Sequence, residues 1–148
     1  MKNAKAAKTN GPRPRTESLR IEGFMPAAPD AVFQAWLSSR EHSAMTGARA
    51  VVSNKVGARH SAWDGYAQGK NLTLAKNRRI VQSWRTTEFP ERHDDSMLDV
   101  RLSAAKGGTK IVLMQTGIPT GQGKSYREGW RDYYFVPMRA YFAKRAKA

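Results

Sequence analysis

The sequence has no cysteine, which removes disulfides, thiolate metal ligands and a cysteine nucleophile, and accords with a reducing cytoplasm. No apolar run approaches the roughly 20 residues that a membrane-spanning helix needs, so no membrane partner is expected. The opening MKNAKAAKTNGPRPR carries cations without the apolar stretch of a secretory signal. Histidine is rare, and His42, His60 and His93 show neither metal-ligand spacing nor a completing carboxylate. No metal and no cofactor is therefore expected. Acidic residues are also few, with 12 Asp and Glu against 26 Lys and Arg and a formal net charge of +14.

A surplus of that size recruits polyanions whatever the fold, so its placement decides what it means. Lys2, Lys5, Lys8, Arg13 and Arg15 lie among small residues and prolines with no acid before Glu17. Such a composition builds no core. Residues 1–15 are expected to form a disordered basic tail and residues 16–148 a single domain, the size that one hydrophobic core supports. The remaining cations interleave with Glu and Asp and match no nucleic-acid recognition motif. That favours a solubilising role over nucleic-acid binding.

What the chain does contain is a clear change of period. Leu19, Ile21 and Gly23 alternate with polar residues and predict a strand over 16–25. Pro29 and Asp30 suit the first turn of a helix carrying Val32, Phe33, Trp36 and Leu37. A second helical piece over 40–46 ends at Gly47, a left-handed cap. Strands are then expected over 48–53, 58–63, 66–74, 79–87, 97–105 and 109–116, with a type I′ hairpin at Asp64-Gly65 and a turn at Gly107-Gly108. Tight connections make the sheet antiparallel. Ser125-x-x-Glu128 has capping-box form and opens a last helix whose Trp130, Tyr134, Met138, Tyr141 and Phe142 make one apolar stripe. Pro137 lies inside it and predicts a kink.

The order of elements is that of an α+β fold, and the residues at its joints carry a resemblance. The stretch Ala28-Pro29-Asp30-Ala31-Val32-Phe33-Gln34-Ala35-Trp36, the hairpin Trp63-Asp64-Gly65-Tyr66 with Gly69 behind it, the strand Ile80-Val81-Gln82-Ser83-Trp84-Arg85, Gly108-Thr109, and Gly129-Trp130 through Tyr133-Tyr134 resemble the family of activators of the heat-shock protein 90 ATPase. The resemblance covers residues 18–142. It implies the helix-grip fold of the birch-pollen-allergen-like and START-related superfamily: a curved antiparallel sheet of six or seven strands, two short helices, and a long C-terminal helix over a cavity. Many relatives have an aromatic or aliphatic residue where this chain has His60, so a polar group enters the cavity or the local pairing differs.

Gly123-Lys124-Ser125 lacks the upstream glycine of a P-loop, since Ile118 stands at that position. Arg92-His93-Asp94-Asp95 reads as a solvated connection. No nucleophile, base and orienting acid come together, so the chain is expected not to be an enzyme. Gln82 and Gln115 fall in phase with apolar neighbours, and a buried amide without a partner is costly. A cavity holding water or ligand is expected to satisfy them. Trp63, Gln82, Trp84, Gln115, Trp130, Tyr134 and Met138 are thus the expected lining of a pocket for a hydrophobic or aromatic small molecule. The alternative reading is a protein-interaction module similar to the chaperone activators, turning its basic surface towards an acidic partner such as a chaperone.

Overall fold

The computed structural model describes residues 15–146, and the tail expected over 1–15 lies, apart from Arg15, outside the described residues. Strand β1 (Thr16–Met25) leads into helices α1 (Pro29–Trp36) and α2 (Ser39–Thr46). Five strands follow: β2 (Arg59–Ala62), β3 (Ala67–Ala75), β4 (Arg79–Thr86), β5 (Ser96–Ala105) and β6 (Gly108–Pro119). A long helical segment comes next, made of α3 (Gly123–Gly129), a π-helical turn (Trp130–Phe135) and α4 (Val136–Ala146). All strands pair antiparallel in one sheet of order β1-β6-β5-β4-β3-β2. This is the α+β helix-grip architecture, with six strands.

Alternation decides which sheet face is covered. The register aligns Ile21, Leu113, Val100 and Ile80 across β1, β6, β5 and β4, and the helices pack on that face. Gly23 admits a close approach of the last helical segment, because a Cβ there would stand 2.7 Å from the Phe135 ring. Of the described helices, none is long and apolar enough to cross a membrane.

Several local features depart from the sequence pattern. The stretch 48–53 is not a strand, since Val51 alone pairs, in an isolated bridge with Ser61. Its other side rests on α2, where Ser43 Oγ accepts the Ala50 N–H at 2.8 Å and Ser39 Oγ accepts the Val52 N–H at 2.9 Å. Serine hydroxyls there take the place of a neighbouring strand. Asp64-Gly65 is not the centre of a two-residue turn either. Ala62 pairs with Ala67, so residues 63–66 form the loop, with Trp63 and Asp64 at φ of 56° and 57° and Gly65 at 91°. Left-handed backbone at a bulky aromatic is uncommon. Here it accompanies edge-on contacts of the Trp63 indole with Tyr133 and Tyr134, at 5.8 and 6.2 Å.

Ser125-x-x-Glu128 does not cap the last helix, which begins at Gly123 with no side-chain cap from its own segment. Glu17 of β1 supplies it instead, accepting the Gly121 and Gly123 amides at 2.9 and 2.8 Å. Those two bonds hold the Glu17 carboxyl below its usual range, and they fill the place an external anion would take. Pro137 interrupts the helix, but as a widened turn. The Val136 N–H reaches back to the Arg131 carbonyl, the five-residue step of a π turn, because proline offers no N–H and crowds the carbonyl one turn earlier.

Candidate functional site: an aromatic pocket under the last helix

The space beneath the π turn is filled by rings. Trp130 lies 4.8 Å from Tyr134 and 5.0 Å from Trp84, and Trp36 lies 5.2 Å from Tyr134. Their polar atoms are paired within the protein. Gln115 Oε1 accepts the Trp130 indole N–H at 2.9 Å, while its Nε2 donates to Ser96 Oγ at 2.9 Å. Gln82 Oε1 accepts the Trp36 indole N–H at 3.3 Å and its Nε2 donates to Asn71 Oδ1 at 2.8 Å. The expectation that these amides need water or a ligand is therefore corrected. They anchor indoles, and neither Gln82, Gln115 nor the fully buried Met138 lines the pocket.

Both buried histidines serve the same core. His42 is 1% exposed; its Nδ1–H donates to the Trp36 carbonyl at 2.8 Å, which leaves Nε2 to accept the Tyr134 hydroxyl proton at 2.9 Å. Burial pushes its pKa down to about 4. His60 stacks on Trp84 at 5.4 Å and bonds the Ser83 carbonyl at 2.9 Å, and burial lowers its pKa too. Gly69 lets that bond form: a Cβ there would stand 1.7 Å from Ser83 O and 2.6 Å from His60 Nε2. The polar departure at His60 thus enters the core, with its partner on β4.

Open space remains at the N-terminal half of the helical segment, a pocket of about 470 Å³. Of the expected residues, Trp63, Trp84, Trp130 and Tyr134 line it, joined by Tyr66, Ala67, Thr86, Glu88, Ser125, Tyr126, Gly129 and Tyr133. Tyr126 was legible in principle, standing one turn before Trp130 on the same helix face. Thr86, two residues after Trp84, follows from the alternation of β4, whereas Glu88 lies past the end of that strand, where no periodicity points to it.

A closed ring of hydrogen bonds builds the polar end. The Glu88 N–H donates to Thr86 Oγ1 at 3.1 Å, Thr86 donates to the Tyr126 hydroxyl at 2.6 Å, Tyr126 donates to Gln122 Oε1 at 2.5 Å, and Gln122 Nε2 returns to the Glu88 carbonyl at 2.9 Å. Tyr66 donates its proton to the Glu88 carboxylate. Burial first, and then that carboxylate, pushes the Tyr66 pKa well above the usual phenol range; burial likewise raises Tyr126. Among the described residues no group of His, Asp and Glu is arranged to hold a metal. The arrangement can enclose an apolar body and meet one polar group at its end.

The sheet's other face is open and differently made. Cross-strand rows place Arg20 beside Met114, Glu22 beside Val112, Phe24 beside Lys110, Arg101 beside Val112 and Arg79 beside Arg101. Four cations share two carboxylates there: Arg79 and Arg101 on Asp99, Arg20 and Lys110 on Glu22. Partial burial acts upward on Asp99, but its two arginines hold it below the usual carboxylate range. Phe24 and Met97 are 40% and 49% exposed among these charges.

Residues 26–143 match the family model described as activator of Hsp90 ATPase homolog 1-like protein. The chain is 27% identical over 120 residues to an activator of 90 kDa heat shock protein ATPase homolog from Dictyostelium discoideum, covering 80% of this chain and 31% of that protein. It is 25% identical over 120 residues to the homolog 1 protein of Homo sapiens, covering 81% and 35%. The chain thus spans about a third of the length of these curated relatives. Among solved structures, an Hsp90 activator from Plasmodium falciparum superposes with a TM-score of 0.70 at 24% identity, covering 80% of this chain and 90% of that one. Ara h 8.0201 superposes at 0.68 and 16% identity, covering 88% and 99%. At such identities these likenesses establish the fold.

Proposed function

Because the chain belongs to the activator of Hsp90 ATPase homolog 1-like family, we propose that it is a non-catalytic binding domain which docks on an acidic face of a 90 kDa heat shock protein and raises its ATPase rate. The observation that carries this reading is the open sheet face, where exposed Phe24 and Met97 sit among four cations that share two carboxylates. Exposed apolar side chains set among surplus positive charge suit a partner of opposite sign and speed its capture. The reading carries a cytoplasmic location with it.

ATP hydrolysis by a purified 90 kDa heat shock protein, measured with and without this chain, tests it. Stimulation is expected, and it should fall as salt rises from about 50 to about 300 mM because the contact is electrostatic. The double variant Arg101→Glu, Lys110→Glu should stimulate at least about tenfold less at low salt, the loss expected when rim charges are reversed. No stimulation at any salt would remove the reading.

The pocket favours a second reading. A concave apolar space of about 470 Å³ with a few polar groups at one end has the make-up of a small-molecule site, and its occupant would be hydrophobic or aromatic. Three of the chain's four tryptophans, Trp63, Trp84 and Trp130, line it. Occupancy should therefore change the protein's intrinsic fluorescence.

A further inference from the structure

We infer that the pocket selects an organic cation, an amine or quaternary ammonium group carried on an apolar or aromatic body; this rests on the second reading above. The first observation is one of charge. The chain carries 26 Lys and Arg against 12 Asp and Glu, yet among the described residues none of those cations lines the pocket, and its one charged lining residue is Glu88. In a protein so rich in lysine and arginine, the wall that meets a ligand is the acidic one.

The second observation concerns the rings. Seven of the 12 lining residues are Trp or Tyr, and an aromatic face presents negative charge that attracts a cation within about 6 Å of its centre. Several such faces around one space form the aromatic cage that recognises substituted ammonium groups. An anionic ligand would meet those faces and the Glu88 carboxylate with the wrong sign.

The third observation is the direction of the hydrogen bonds at the polar end. Tyr66 gives its proton to Glu88, Thr86 gives its proton to Tyr126, and Tyr126 gives its own to Gln122. These three hydroxyl protons are committed inside the protein, so none of the three is offered to the pocket's contents. The ring through Gln122 also holds the Glu88 backbone in place. The receiving group is thus built before the ligand arrives, which favours binding.

A matched pair of probes tests the inference: benzyltrimethylammonium and its neutral isostere neopentylbenzene, titrated into the full chain at fixed salt and followed by tryptophan fluorescence. The cation should bind at least about tenfold more tightly than the isostere. Glu88→Gln should erase most of that preference. Tyr133→Ala removes a rim aromatic that is 62% exposed and should lower the ratio as well. Thermal melts confirm that each variant folds. Equal affinity for both probes would overturn the cation inference and leave the pocket reading standing, and binding of neither would overturn both. A preference unaltered in both variants would place the cation elsewhere and refute this site.

Discussion

At the residue scale, the core is organised by polar groups that sequence phase announces without naming their partners. That Gln82 and Gln115 are buried follows from the alternation of their strands. That each serves an indole, Trp36 and Trp130, depends on elements far along the chain. His42 is the sharpest case. It must be neutral to donate from Nδ1 while accepting at Nε2, and burial lowers its pKa from 6.5 to about 4. The unfolded chain therefore binds a proton between those values and the folded one does not. Stability should be complete above pH 6.5 and fall towards pH 4, at up to about 1.4 kcal/mol per pH unit for each such histidine. His60 adds in the same direction, whereas Glu17, Glu22 and Asp99 are held low and lose their contribution only below their ordinary carboxylate values. Urea unfolding measured from about pH 7 to about pH 5 should show this decline, shallower in His42→Gln; equal slopes would contradict it. Gly69 supplies a second test. With a Cβ only 1.7 Å from the Ser83 carbonyl, Gly69→Ala should lower the unfolding free energy by about 3 kcal/mol or more.

At the element scale, the strands were legible because one sheet face is covered, which imposes a strict period. The segment 48–53 was not, since its partners are the side chains of Ser39 and Ser43 rather than a strand. Helix starts show the same limit through two identical motifs. Ser38-x-x-Glu41 works in part: Ser38 Oγ accepts the Glu41 N–H at 3.2 Å, though the Glu41 carboxylate turns to Tyr141 and Arg145 of α4, at 2.8 Å each. Ser125-x-x-Glu128 does not work, because α3 already begins at Gly123, whose amide Glu17 holds together with that of Gly121 just before the helix. Ser38→Ala should consequently destabilise the protein by about 1 kcal/mol and Ser125→Ala by less than about 0.5 kcal/mol, read from chemical denaturation. Equal losses would mean that the second motif caps after all. The π turn was half-visible. Pro137 marked an interruption, but a widened turn keeps Trp130, Tyr134, Met138 and Phe142 buried together.

At the scale of the whole molecule, two faces divide the work proposed for the chain. The covered face holds a packed aromatic core and, towards α3, the pocket. The open face mixes cations with Phe24 and Met97 and lies across the sheet from it. The position of the pocket was only partly legible: Trp63, Trp84, Trp130 and Tyr134 belong to it, and Thr86 is in phase with Trp84, while Glu88 and Tyr66 join through the loops after β4 and β2, where the sequence has no period to read. The net charge left a solubilising role and an acidic protein partner both open, and only the strand register shows which cations gather on one surface.

Backbone amide chemical shifts of the isotope-labelled chain, followed while a 90 kDa heat shock protein is added, test the central claim most directly. The account predicts perturbations concentrated on the outward residues of β1, β5 and β6, among them Arg20, Phe24, Met97, Arg101 and Lys110, and lost at high salt. An unchanged spectrum, or changes confined to the pocket around Trp63 and Tyr126, would contradict it.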